Sequence, residues 1–172
     1  MIGVILAGGT GRRMGGNKPW VRVDGVPLIG WAAETLRASG CEEVWAVFRR
    51  RDHRWEGPWL EDAFEGGPAA GLRTVLREFE GWRLIVTACD VLFDPVEWVG
   101  SGDPPKHASD TLFPLEVVSP GDVGGDTVRG VLKRLGSHGV DVRSVDADRV
   151  SDLRSYRGFL RGLLREGKLS TE

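Results

Sequence analysis

Leu6-Ala7-Gly8-Gly9-Thr10-Gly11-Arg12-Arg13-Met14-Gly15-Gly16-Asn17-Lys18-Pro19 is the stretch that decides the fold. It follows Ile2-Gly3-Val4-Ile5-Leu6-Ala7, an apolar run bounded by Gly that reads as a fully buried strand of the kind found in parallel sheets. Ligands of open α/β sheets bind beyond the carboxyl ends of the strands, so this loop is a candidate phosphate cradle. Two common designs do not fit it. A dinucleotide fingerprint needs Gly-x-Gly-x-x-Gly, and after Gly9-Thr10-Gly11 the next Gly comes one residue late, at Gly15. A Walker loop needs Gly-Lys-Ser/Thr, but Asn17 separates Gly16 from Lys18 and Pro19 follows. Pro19 also biases Lys18 away from helical backbone angles. Gly8, Gly9 and Gly11 would let backbone N–H groups approach an anionic ligand without a Cβ in the way, with Arg13 and Lys18 at hand as counter-charges.

Working outward, Trp20 to Val23 alternates and Asp24-Gly25 is a turn; Pro27 opens a helix to about Ser39. Val44 to Phe48 and Leu84 to Ala88 read as the second and third buried strands. The segment 49–67 reads mostly as loop with one short helix. Helices are expected over 68–79, 95–99, 126–135 and 153–165, the last with Phe159, Leu160, Leu163 and Leu164 inside. Short strands are expected at 111–113, 116–118 and 142–145. Apolar runs alternating with helical patterns mean βαβ units in a mainly parallel sheet. No repeats or linkers break the chain, so residues 1–172 read as one domain.

Composition supports an ordinary folded chain. Hydrophobic residues are 41% and charged residues 28% of 172, which excludes a disordered tail, and the 25 Gly follow no collagen period. The formal net charge of −2 argues against nucleic acid as a partner. The basic residues are lopsided, 19 Arg against 4 Lys, which singles out each Lys. Cys41 and Cys89 suggest neither a disulfide framework nor a zinc cluster and read as buried thiols. The longest uncharged run, Met1 to Gly11, is too short to span a membrane and lacks the features of a secretion signal. The expected setting is the cytoplasm, with no membrane partner.

The loop resembles the Leu-Ala-Gly-Gly-x-Gly-x-Arg-Met-Gly-x-x-Lys signature of nucleotidyltransferases that activate sugars, cofactors and pterins. Three further segments narrow the resemblance to the molybdenum cofactor guanylyltransferases, a MobA-like nucleotidyltransferase family. Val26-Pro27-Leu28-Ile29 is similar to a Gly-x-Pro-Leu-Ile segment, Gly67-Pro68-Ala69-Ala70-Gly71-Leu72 to Gly-Pro-Leu-Ala-Gly-Leu, and Cys89-Asp90 to Cys-Asp-x-Pro. The match covers roughly the first 95 residues. It implies an α/β, three-layer Rossmann-like nucleotidyltransferase fold with a mainly parallel mixed sheet. It also implies transfer of GMP from GTP to molybdopterin with release of pyrophosphate. By position, Leu6, Ala7, Gly8, Gly9 and Gly11 would line the nucleotide, Lys18 would touch its phosphates, and Asp62, Pro68 and Gly71 would serve the nucleotide pocket. Asp90 would hold Mg²⁺, and Arg13, Lys18 and Asp90 form the catalytic set. An acceptor phosphate is already a nucleophile at neutral pH, so charge neutralisation and in-line placement are what the reaction requires.

The second half departs from the family. Glu116 is unusual in the strand near Pro114, and the family's polar position after the second strand falls on Val47 or Phe48. The family's Asn-x-Asn-Thr-Pro aligns with Asp152-Leu153-Arg154-Ser155-Tyr156, so the Asn pair is missing. Asp152 reads as a helix N-cap or as a second carboxylate near the metal. Arg49-Arg50-Arg51 reads as an exposed run that could meet an acceptor phosphate. Another nucleotide, a sugar-phosphate or other phosphate-bearing acceptor, or a non-catalytic nucleotide-binding module therefore stay open. Contact with molybdenum cofactor enzymes is a further expectation.

Overall fold

The structure is a computed structural model that describes residues 1–9 and 15–171. Gly11 and Arg13, and with them the middle of the phosphate loop, lie outside the described residues. In chain order the elements are β1 (Ile2–Leu6), a 3-10 turn (Lys18–Trp20), β2 (Arg22–Val23), β3 (Val26–Pro27), α1 (Leu28–Ala38), β4 (Glu43–Phe48), β5 (Trp59–Glu61) and α2 (Gly67–Glu78). Then come β6 (Arg83–Ala88), β7 (Val91–Phe93), α3 (Pro95–Gly100), β8 (Lys106–Ala108), β9 (Leu115–Val118), α4 (Val128–Arg134), β10 (His138–Val140), β11 (Ser144–Asp146) and α5 (Leu153–Arg165).

Seven strands form one sheet in the order β10-β8-β9-β6-β1-β4-β5. β1 sits between β4 and β6, parallel to both, and every residue of β1 is buried. This is the pattern of a strand covered on both faces, and it explains the uninterrupted apolar run. Helices supply that cover: a side chain added at Gly3 would start 3.0 Å from Leu36 of α1, whereas Leu6 packs against Gly71 of α2. Odd and even positions of a strand face opposite ways, so the two helices lie on opposite faces of the sheet and make three layers. β9 runs antiparallel between β6 and β8, which makes the sheet mixed.

The antiparallel insertion explains Glu116. Its carboxylate is buried and takes two hydrogen bonds from Arg83 of β6, at 2.9 and 2.5 Å, while the buried Lys106 ammonium lies 3.4 Å away. The odd residue of the second half thus carries an ion pair across three strands. A second apolar cluster forms under α5, where Tyr156, Leu160 and Leu163 pack with Trp31 and Leu92. Tyr156 takes the inward place expected of Phe159 and Leu164, which are only partly buried. Burial pushes the Cys41 thiol up to about 12 and raises Cys89 as well, so both thiols are free, buried and protonated.

Several expected elements differ. Segment 49–66 holds strand β5 and no helix, and α2 begins at Gly67; 111–113 is a turn residue and irregular backbone rather than a strand; and the expected strand at 142–145 is β11, which leaves the main sheet to pair antiparallel with β7. Among the described residues, no helix is long and apolar enough to cross a membrane.

Candidate active site

β1 and β6 end side by side, with Leu6 paired to Ala88 and the Cys89 N–H bonded to the Leu6 carbonyl. That register sets Asp90 beyond the end of β6, next to the start of the phosphate loop. Leu6, Gly8, Gly9, Lys18, Asp62, Pro68, Gly71 and Asp90 line one hollow of about 300 Å³. Of the expected nucleotide residues, Ala7 borders a neighbouring hollow, and its N–H is spent on the Val47 carbonyl at 2.9 Å.

Lys18 follows directly from its local sequence. Pro19 and Trp20 complete a single 3-10 turn, and the Lys18 ammonium meets Asp90 Oδ2 at 2.6 Å and Asp148 Oδ1 at 3.0 Å. Burial pulls the ammonium's pKa down, but the two carboxylates outweigh it and hold the group above the ordinary lysine value. Lys18 is therefore charged throughout the neutral range.

The first turn of α2 forms the facing wall. Gly67 has φ +62°, a left-handed backbone that disfavours any side chain, and Pro68 follows in the helix's first turn. At Gly71 an added Cβ would lie 3.3 Å from Leu6 Cδ2 and 3.7 Å from Asp62 Oδ2, so only a bare backbone leaves that corner open. Asp62 is fixed from behind. Its N–H bonds to the Phe48 carbonyl, and its Oδ1 accepts from the buried Thr74 hydroxyl at 2.8 Å and from the Phe64 N–H at 3.2 Å. Its Oδ2 is left on the side of Gly8 and Gly71.

Two carboxylates missed by sequence reading complete the hollow, Asp146 and Asp148. β11 brings them there: Asp146 pairs with Val91, and the Ala147 N–H bonds to the Asp90 carbonyl at 3.0 Å. Burial and the neighbouring carboxylates of Asp90, Asp152 and Asp148 hold the Asp146 carboxyl above its usual range. The polar pair spaced i, i+2 that reaches the hollow is Asp146 and Asp148, whereas Asp152 accepts the Arg149 N–H at 2.8 Å and closes the turn before α5. Similarly, Val47 and Phe48 are buried core residues, and the polar residue that follows β4 is Arg49, whose stem lies beside Gly8. Thr111 and Phe113 form the remaining wall. Trp98 and Trp31 are fully buried, and none of the seven Trp lines this hollow.

A glycine loop after a central parallel strand, a charged lysine and strand-end carboxylates facing one hollow lie where proteins of the open α/β class bind their ligands. The profile of the MobA-like NTP transferase domain matches residues 3–101, more than half of the chain, and the chain belongs to that family. It is 38% identical over 119 residues to the molybdenum cofactor guanylyltransferase of Rhodobacter capsulatus, covering 63% of this chain and 61% of that one. It is 36% identical over 101 residues to the molybdenum cofactor guanylyltransferase of Cereibacter sphaeroides, covering 56% and 50%. The chain spans about half the length of the curated relatives it matches. The molybdopterin-guanine dinucleotide biosynthesis protein A of Archaeoglobus fulgidus shares the fold with a TM-score of 0.66, at 22% identity, over 94% of this chain and 100% of that chain. The inositol-1-phosphate CTP transferase of T. maritima does so with a TM-score of 0.65, at 18% identity, over 96% of each chain.

Proposed function

We propose that the chain transfers GMP from GTP to molybdopterin, releasing pyrophosphate. The carrying observation is that eight residues singled out from motifs far apart in sequence, Leu6 to Asp90, line a single hollow at the ends of β1 and β6. In the reaction an oxygen of the acceptor phosphate forms a bond to the α-phosphorus, and the bond from that phosphorus to the bridging oxygen of pyrophosphate breaks. No general base is required, because the acceptor phosphate is already ionised. Gly8 and Gly9 give phosphates access to the backbone, Lys18 and Arg13 counter the growing charge on the leaving group, and Asp62 receives the base.

Mg²⁺ suits the donor set. Asp90 and Asp146 offer hard oxygens, and Asp146 is disfavoured as an anion first by burial and then by its carboxylate neighbours, the second of which a cation would relieve. Mg²⁺ is commonly held by one or two carboxylates and substrate phosphates, so two side chains suffice. Bound there it would neutralise phosphate charge. Lys18 now lies between Asp90 and Asp148; on nucleotide binding its ammonium would pass from the carboxylates to the phosphates.

The deciding measurement is pyrophosphate release from GTP with molybdopterin and Mg²⁺. No release with molybdopterin, alongside turnover of another phosphate acceptor, overturns the pterin assignment. One observation favours that second reading: the i, i+2 pair at the hollow is Asp146 and Asp148 rather than the amides of the family resemblance, which makes this wall more acidic. A sugar-phosphate panel would expose it.

A further inference from the structure

The notable unused feature is that the stem of Arg49 and the carboxylate of Asp62, side chains of opposite charge, both approach Gly8. A side chain built on Gly8 would start 3.5 Å from Arg49 Cγ and 3.8 Å from Asp62 Oδ2. The register explains why. Leu6 pairs with Val47 across β1 and β4, and the Ala7 N–H bonds to the Val47 carbonyl, so the next step along both strands sets Arg49 beside Gly8. Asp62 arrives from β5, its backbone bonded to Phe48. No ion pair joins Arg49 to any described residue, and Asp62 Oδ1 is already engaged by Thr74 and Phe64. Arg49 lines a hollow of about 240 Å³ that shares Gly8 and Gly9 with the main one. Asp62 lines the main hollow and Arg49 the neighbouring one, so where the two meet at Gly8 and Gly9 an acceptor fixed by Thr74 stands on one side and an exposed guanidinium side chain on the other.

That polarity fits one nucleobase in particular. Guanine carries donors at N1 and N2 on one edge and acceptors at O6 and N7 on another; adenine has an amino donor where guanine has O6. A guanidinium makes two parallel hydrogen bonds to O6 and N7, a pairing an amide or a lysine does not reproduce. We propose that Arg49 is a specificity-determining residue that reads the O6/N7 edge of guanine while Asp62 takes the N1/N2 edge. Thr74 is a positioning residue that holds Asp62 for this role. The inference rests on the GTP reading above.

The test measures nucleotide affinity by titration calorimetry, so no acceptor is involved. The probes are GTP, 7-deaza-GTP (N7 replaced by C–H), 2,6-diaminopurine riboside triphosphate (an amine in place of O6) and ITP (no N2 amine). In the wild type each analogue should bind about tenfold or more weakly than GTP, the size of one hydrogen bond to a charged group. In Arg49→Ala the penalties for the deaza and diamino analogues should vanish, while the ITP penalty persists. Arg49→Lys should restore only part of the discrimination. Should Arg49→Ala keep all three penalties, the role of Arg49 is overturned and the GTP reading stands. A wild type that binds CTP or ATP more tightly than GTP overturns the guanine reading itself.

Discussion

Lys18→Ala separates what holds the site together from what works on the substrate. The ammonium sits 2.6 Å from Asp90 and 3.0 Å from Asp148, with side-chain exposures of 16%, 12% and 44%. Breaking a fully buried pair costs about 3–5 kcal/mol and an exposed one about 0–1. This pair lies between those limits, so a loss of about 1–2 kcal/mol is expected. Against a typical domain stability of about 5–15 kcal/mol the variant stays folded, with a melting temperature lower by about 2–8 °C. The pKa of the ammonium is raised, so its contribution is fully present below the ordinary lysine value of 10.5 and fades only as pH rises through the higher folded value. The stability difference should therefore be flat across the neutral range. Turnover should fall much further, by about 10²–10³-fold, as when an oriented donor to a developing charge is lost. Deleting the ammonium also removes a cation from beside Asp90 and Asp148, so Mg²⁺ without nucleotide should raise the melting temperature of the variant more than that of the wild type. Melting followed by circular dichroism, and pyrophosphate release from GTP, read these effects. An unfolded variant, or a folded one with less than a tenfold loss of turnover, refutes the reasoning.

Asp90→Asn should shift the Mg²⁺ concentration for half-maximal turnover upward, with a drop in melting temperature no larger than that of Lys18→Ala because it breaks the same ion pair; an unchanged Mg²⁺ profile removes Asp90 from metal binding. Gly71→Ala should weaken GTP binding by about tenfold or more, yet change stability by less than about 1 kcal/mol, because the helix gain from Ala offsets the 3.3 Å approach to a flexible Leu6 methyl. Isothermal titration and thermal melts distinguish the two effects. Asp94 is fully buried at the start of α3, bonded to Arg143 and, at 2.5 Å, to Lys168. Burial alone would raise its pKa, but those cations and the Glu97 N–H lower it, so its contribution is present above the ordinary carboxylate value and is lost as pH falls through the depressed folded value. Asp94→Asn should cost on the order of 3 kcal/mol at neutral pH and much less in strong acid. A pH-independent difference in urea midpoints would contradict that account.

The parts of the site that were legible in the sequence are those built by neighbours in the chain. β1 announces itself because a strand buried on both faces must be apolar throughout, and the glycine spacing after it is local. Asp90 and the Gly67–Gly71 turn likewise stand immediately after or within strong periodic runs. β5, β7, β8, β10 and β11 have three residues each, fewer than one repeat of alternation needs to declare a face, and they exist through pairing with distant strands. The arrival of Asp146 and Asp148 depends on one such pairing, β11 on β7, and on the Ala147–Asp90 backbone bond. Asp152, by contrast, precedes an obvious amphipathic helix, and that local signal made it stand out in the sequence ahead of the two carboxylates that line the hollow.

Arg49 shows the same limit from the surface side. Three consecutive arginines after a strand have the composition of a solvated turn, and nothing in their own sequence ranks the first above the others. Only the parallel register singles out Arg49: β1 and β4 are aligned so that the residue after Phe48 comes level with Gly8, where a side chain is missing. A one-residue slip of β4 would turn its Arg stem away from the loop and send a core residue of β4 toward the other helix layer. Val44, Ala46, Val47 and Phe48 are all buried in the observed register, so the core holds it in place. The packing that makes β4 a central strand thereby also fixes which arginine stands beside Gly8, so the proposed reading of the base by Arg49 depends on the sheet's own alignment.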